Sequence, residues 1–264
     1  MERLVQRLRG FVRGVYQLVF SLTLFAGVLR KARVVVFEIG GRGGPSFGFR
    51  LLSRLGFIEI HSFEPDPQEA QRLQAKGDFA QVYPVALGKE KGKETLYLTA
   101  HPGCSSLLKP LAENFCKHSI FNWLQVEAEV SVEVESLQGL SQRPGFSAPH
   151  FLNIDVQGAE RDLLMGGKEV LSSVLGIKVE CRMRSMYQGE ALLPEVVALL
   201  AEEGFLFRDA KVVGSFDREA VEFDCLFVRE GDSLTSAQDA LIAWWERFNG
   251  ASRSRPAKVL SPAS

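Results

Sequence analysis

The sequence predicts an α/β fold with a mostly parallel, doubly wound sheet and helices on both of its faces. Three observations predict it. Val34-Val35-Val36-Phe37 is an unbroken apolar run, three of its four residues β-branched, and it passes through Glu38 and Ile39 into the turn Gly40-Gly41-Arg42-Gly43-Gly44-Pro45-Ser46. Such a run suits a strand covered on both faces. A second strand, Ile58-Glu59-Ile60-His61-Ser62-Phe63, closes in Glu64, 24 residues after Gly40. That is close to the offset of about 20 at which an acid meets ribose hydroxyls in a nucleotide-binding βαβ unit. Two later core-type strands, residues 151–155 and 174–180, also run into an acid, Asp155 and Glu180, as the first runs into Glu38.

Each element follows from local chemistry. Glycines let the chain turn sharply and leave bare backbone for a ligand to approach. A helix opens near Pro45 or Ser46, its free N–H groups directed back at the turn. Read as G-x-G-x-x-G from Gly41, the third position is Ser46, so the dinucleotide fingerprint is incomplete. Pro65 and Pro67 stop the second strand, hold Glu64 at the carboxyl edge of the sheet and start a helix over 68–75. Residues 79–86 carry a third strand pattern, and its exit places Val85 and Ala86 as an apolar rest for an adenine ring. Residues 95–99 and 126–134 suggest added strands, joined through the polar loop 103–108, which could equally be a solvated turn.

A helix follows Asp155 and stops at Gly166-Gly167. Helical periodicity returns over 192–203, with Pro194 in its first turn and Gly204 at its end. Strands follow at 205–207 and 221–228. The final amphipathic helix spans 236–248, where Trp244 and Trp245 suit packing better than cofactor contact.

Residues 1–33 form a separate helical segment, residues 34–249 the main domain, and 250–264 a disordered tail rich in Ser, Arg, Pro and Ala. The first segment has seven basic residues against the single acid Glu2, around an uncharged stretch over 14–29 that falls short of a membrane span. Two readings stay open for it. It could lie on an anionic membrane surface as a basic amphipathic helix, or pack on the domain as a lid or homodimer contact.

Composition narrows the function. At 264 residues, 46% hydrophobic and 24% charged, the chain can bury a large core. Net charge −1 gives no electrostatic case for a nucleic-acid partner. Four scattered cysteines and four dispersed histidines lack metal-ligand spacing, and buried reduced thiols point to a cytoplasmic protein, peripheral to the inner face of a membrane on the first reading of residues 1–33.

Several separated motifs, in order, resemble the FkbM-type methyltransferase family. Glu38-Ile39-Gly40 through Gly44 is similar to its first motif, and Phe63-Glu64-Pro65-Asp66-Pro67 to its acidic motif. Asn153-Ile154-Asp155-Val156-Gln157-Gly158-Ala159-Glu160 is similar to its Lys-Ile-Asp-Val-Glu-Gly-Ala-Glu signature. Tyr187-Gln188-Gly189-Glu190 and the 224–229 segment look like later family segments. Glu38 stands in place of an Asp, Arg42 of an Asn, Asn153 of a Lys and Gln157 of a Glu.

The resemblance implies a Rossmann-like class I methyltransferase fold with a seven-stranded sheet. It also implies S-adenosylmethionine as cofactor and O-methylation of a hydroxyl on a sugar, glycan or secondary metabolite, the partner being a small-molecule or glycan acceptor. On it, Glu64 meets the ribose, Gly40 and Gly44 give close backbone approach, and Glu38 holds the amino-acid end of the cofactor. Asp155 is the first candidate for the base that takes the acceptor proton, Glu180 the second. Tyr187 and Ser105-Ser106 are candidate acceptor contacts. A rival reading keeps the fold as a weakly active or inactive binding scaffold. A nicotinamide oxidoreductase is disfavoured by the acid inside the glycine motif.

Overall fold

The computed structural model describes residues 2–40, 42–216, 219–231 and 233–251. Gly41 of the turn and residues 252–264 of the expected tail lie outside the described residues. In chain order the elements begin with α1 (Glu2–Leu24), α2 (Ala26–Ala32), β1 (Val34–Ile39), α3 (Phe47–Arg54), β2 (Ile58–Phe63), α4 (Pro67–Lys76) and β3 (Gln81–Tyr83). Next come β4 (Ala86–Gly88), β5 (Gly92–Thr99), α5 (Ile120–Trp123), β6 (Val126–Ser136), α6 (Leu137–Ser141), β7 (Phe151–Ile154), α7 (Glu160–Met165) and α8 (Lys168–Leu171). The chain closes with β8 (Gly176–Arg182), α9 (Leu193–Glu202), β9 (Phe205–Phe216), β10 (Glu219–Arg229) and α10 (Ser236–Phe248).

The main sheet has seven strands in the order β3-β2-β1-β7-β8-β10-β9. The first five run parallel, while β10 is antiparallel to both β8 and β9. This is the Rossmann-like class I methyltransferase arrangement, with the order reversing at β1, where the glycine turn leaves the sheet. A ligand crevice forms at such a switch point, outside the carboxyl ends of the strands.

The two faces of β1 bury different residues because side chains alternate along a strand. Val35, Phe37 and Ile39 join a core with Leu152, Ile154, Ile177 and Val179, covered by α6, α7, α8 and α9. Val34 and Val36 join the opposite core, covered by α1 to α4 and α10. There Trp245 stacks on Phe151 with ring centroids 4.5 Å apart, and Trp244 and Trp245 are fully buried. Both tryptophans therefore pack, as their place on an amphipathic helix predicts.

Three sequence expectations change in register. The third strand pattern over 79–86 divides: β3 ends at Tyr83 before Pro84, and Ala86 opens β4, which belongs to a second sheet of order β4-β6-β5. The expected added strands are β5 and β6 of that sheet. Strand β8 continues through Glu180 to Arg182, because β10 pairs alongside it as far as the Glu222–Arg182 pair. Most consequential, Glu38 lies opposite Asn153, not opposite Asp155. The two acids thus differ by one full strand repeat, and Asp155 is level with Gly40.

Candidate active site

Gly40 is the pivot of the cleft. Its φ is +76°, and a Cβ there would lie 1.8 Å from the Asp155 carbonyl oxygen, inside backbone that cannot yield. The turn is closed by hydrogen bonds from Gly40 N to Phe63 O (3.0 Å) and from Asp155 N to Ile39 O (2.9 Å). Only glycine meets both the left-handed conformation and the close approach. Further round, Gly43 N donates to Glu69 Oε1 of α4 at 3.0 Å, and Lys76 Nζ donates to Gly43 O at 3.3 Å. Gly44 has φ +98° and shapes the loop without lining the cleft. Arg42 turns its guanidinium to Asp66 Oδ2 (3.0 Å), while Asp66 caps α4 by accepting from Gln68 N and Glu69 N.

The cleft at this edge encloses about 750 Å³ including its open mouth. Phe63, Ala86, Leu87, Leu96 and Leu107 give its lining apolar surface, and Glu64, Arg42, Gly40, Asp155, Ser105 and Ser106 supply polar groups. Glu64 is buried, and desolvation pushes its pKa up to about 7 against the opposing pull of the Asp66 N–H and of Arg42. Ala86 lines the cleft as predicted. Val85 does not: it is half-buried against the core on the sheet face of α6 to α9.

Behind Asp155 lies a network whose hub is Gln157, held at φ +55°. Gln157 Nε2 donates to Asp155 Oδ1 (2.5 Å) and to Glu180 Oε1 (3.0 Å). Its Oε1 accepts from Arg182 Nη2 at 2.8 Å and lies 2.9 Å from the Tyr187 hydroxyl, which lies equally close to Cys104 O. Arg182, 2% exposed, also pairs with Glu180 (2.7 Å) and Glu222 (2.9 Å). Asp155 opens on the cleft, but protein surrounds it closely enough that desolvation raises its pKa, with Gln157, Arg182 and Lys178 acting in opposition. Burial and then the Asp155 charge push Glu180 up to about 8. Carboxylates outnumber the one buried guanidinium, so a cation placed among them would draw their raised pKa values back down and be held by the ionised forms.

The predicted residues therefore divide. Gly40, Glu64, Ala86 and Asp155 meet in one cleft. Glu180 stands behind Gln157 rather than on the cleft wall. Glu38 is not at the mouth: it is buried on the opposite sheet face, where its Oε2 accepts from Asn153 Nδ2 at 2.5 Å. Its side chain alternates away from Ile39, which does line the cleft. Tyr187 is fully buried and spends its hydroxyl inside the network, so it is no acceptor contact. Ser105 and Ser106 do line the cleft, with Ser106 Oγ donating to Gln157 O at 2.7 Å. Arg182 and Glu222 escaped sequence reasoning. The one available signal was an arginine following Val-Glu-Cys on a core-type strand. Among the described residues no group of three or more His, Cys, Asp or Glu is placed to hold a metal ion.

Residues 44–207 match the Methyltransferase FkbM domain family. The chain is 28% identical over 206 residues, covering 75% of it and 84% of the relative, to 2-O-methyltransferase NoeI of Sinorhizobium fredii. It is also similar to the crystal structure of magnesium protoporphyrin IX methyltransferase (ChlM) from Synechocystis PCC 6803 with bound SAM. There the TM-score is 0.43 at 11% identity, over 86% of this chain and 81% of that one. An O-methyltransferase family protein from Burkholderia thailandensis gives a TM-score of 0.41 at 10% identity, over 87% of this chain and 57% of that one.

Proposed function

Because the chain belongs to the FkbM methyltransferase domain family, and so is an S-adenosylmethionine-dependent methyltransferase, we propose that it methylates a hydroxyl oxygen on a sugar, glycan or secondary metabolite. The observation that carries this reading is the meeting of Glu64 and Asp155 in one cleft with the bare Gly40 backbone and with apolar surface in the same lining.

The residues fit the cofactor. Phe63, Ala86, Leu87 and Leu107 offer apolar surface of the kind an adenine ring packs on, and Glu64 can accept from a ribose diol. The surplus of carboxylates suits a sulfonium. Arg42, the departure that would put a second cation here, is drawn off to Asp66. When bound, S-adenosylmethionine supplies an activated methyl group.

This chain's own residues supply orientation and proton transfer. A hydroxyl becomes a better nucleophile as its proton leaves. Asp155 Oδ1 is engaged by Gln157, which leaves Oδ2 to take that proton. Its pKa, raised above the usual carboxylate range, makes it a stronger base than a solvated aspartate. Glu180 shares the Gln157 amide and keeps Arg182 in place; it is a positioning residue on this reading. That the relative NoeI is a 2-O-methyltransferase supports a hydroxyl acceptor.

Calorimetric titration with S-adenosylmethionine, S-adenosylhomocysteine and NADH tests the cofactor site. Both sulfur compounds should bind and NADH should not. Glu64→Ala should weaken binding by roughly 1.5–3 kcal/mol, about ten- to hundredfold. Undiminished affinity in that variant would remove Glu64 from the site, and a folded protein that binds neither compound at millimolar concentration would overturn the reading.

A further inference from the structure

Helix α1 is fastened to the domain by Phe20, which enters the core, and by long-range hydrogen bonds. Gln17 Nε2 donates to Phe248 O at 2.7 Å, and Trp244 Nε1 donates to Ser21 Oγ at 2.9 Å. Gly14 lies so near Phe47 that a Cβ would come within 2.2 Å of that ring. Turned outward are Leu8, Phe11, Val12, Val15, Tyr16 and Val19, each between 38% and 67% exposed. Their spacing of three and four residues makes them one continuous stripe. The side of α1 that meets the core already buries Phe20 beside Gly14, Gln17 and Ser21, so the outward leucine, phenylalanine and valines are a second apolar face that the domain leaves uncovered. Isolated exposed apolar residues are ordinary, but a six-residue stripe marks a contact surface.

Charge identifies the occupant. From residue 3 to residue 33 the sequence has seven basic residues and no acid. A second copy docking through the same face would set one such segment against another. The 252–264 segment, with Arg253, Arg255, Lys258 and no acid, is equally mismatched. A surface of anionic phospholipid is complementary to both the apolar stripe and the basic residues. Among the described residues no single helix is long and apolar enough to span a bilayer, and Phe11–Leu24 with α2 passes that test only as a pair bent by 83°. We propose that α1 docks this protein on an anionic membrane surface, lying in the plane of the headgroups.

Co-sedimentation of the full chain with vesicles tests this. Vesicles of phosphatidylcholine with about 30% phosphatidylserine should retain the protein, and phosphatidylcholine alone should retain far less. Raising salt from about 0.1 M to about 0.5 M should release it. The paired substitution Val12→Glu and Val19→Glu changes exposed positions outside the cleft. It should lower partitioning by at least about tenfold while leaving S-adenosylhomocysteine affinity unchanged. Light scattering on both proteins supplies the competing outcome. No retention on anionic vesicles, or retention that ignores the paired substitution, overturns the proposal. So does a wild-type dimer that the substitution splits, since the stripe would then belong to a second copy.

Discussion

Replacing Glu38 by glutamine should make the protein less sensitive to alkaline pH. Glu38 is 4% exposed, accepts one hydrogen bond from Asn153, and its Oε1 has no hydrogen-bond partner among the described residues. Desolvation raises its pKa from 4.5 to about 7, with Asn153 and Lys178 pulling the other way. In the unfolded chain the group ionises near 4.5, so the folded state is proton-rich relative to the unfolded one between those values. The linkage sign is therefore destabilising as pH rises: the cost starts near pH 4.5, grows by about 1.4 kcal/mol per unit, and levels off above the folded pKa. For this one carboxyl, integration gives a cost of about 1 kcal/mol at pH 5.5 and about 3 kcal/mol at pH 8.5. Glutamine does not titrate and nearly matches the shape. Urea unfolding of both proteins at the two pH values should show the variant gaining about 2 kcal/mol on the wild type between pH 5.5 and 8.5. A difference of zero would mean that Glu38 is ionised below pH 5.5. Desolvation would then be outweighed, with Lys178 and Asn153 the groups responsible.

The cleft gives two further expectations. Gly40→Ala combines a left-handed φ with a Cβ 1.8 Å from the Asp155 carbonyl, so it should cost at least about 2 kcal/mol in urea unfolding and abolish S-adenosylhomocysteine binding by calorimetry. Asp155→Asn should lower kcat by roughly 10²- to 10⁴-fold while S-adenosylhomocysteine affinity changes only a few-fold. The wild-type rate should fall as pH drops through the raised pKa of Asp155, and the variant should lose that limb.

The sheet and its ligand edge were legible because they rest on short-range signals. Apolar runs, a glycine turn and prolines after an acid each specify local backbone, and together they place Gly40, Glu64, Ala86 and Asp155 correctly in one cleft. Register was not legible. Reading Glu38 and Asp155 as equivalent strand ends overlooks that a shift of two residues leaves the hydrophobic pattern unchanged, since side chains repeat with that same period. Pairing of Glu38 with Asn153 is set by packing across β1 and β7, which no local pattern reports. Tyr187 failed for a similar reason: a tyrosine in a loop reads as accessible, and only the contacts with Gln157 and Cys104, 30 and 83 residues away, show where its hydroxyl goes. On α1 the sequence pattern alone does not say which side packs on the domain. Gln17 and Ser21 are buried because long-range hydrogen bonds from α10 and its end await them.

Gln157 shows how a departure from a family pattern can be chemically consistent. The family signature often carries glutamate at this position, and a glutamate here would stand beside Asp155, Glu180 and Glu222, adding a fourth negative charge around one guanidinium. It could also donate to none of them. A glutamine amide has two donors and an acceptor. Its donors go to Asp155 and Glu180, and its oxygen takes Arg182, with the Tyr187 hydroxyl also in reach. The amide holds the two acids near each other, and the Asp155 charge raises the pKa of Glu180. On the proposal that Asp155 takes the acceptor proton, its basicity is tuned by Gln157, Arg182 and Lys178 against desolvation, though the acceptor need not touch Arg182. Gln157 is thus the residue that connects Asp155 on the cleft to the buried charges behind it.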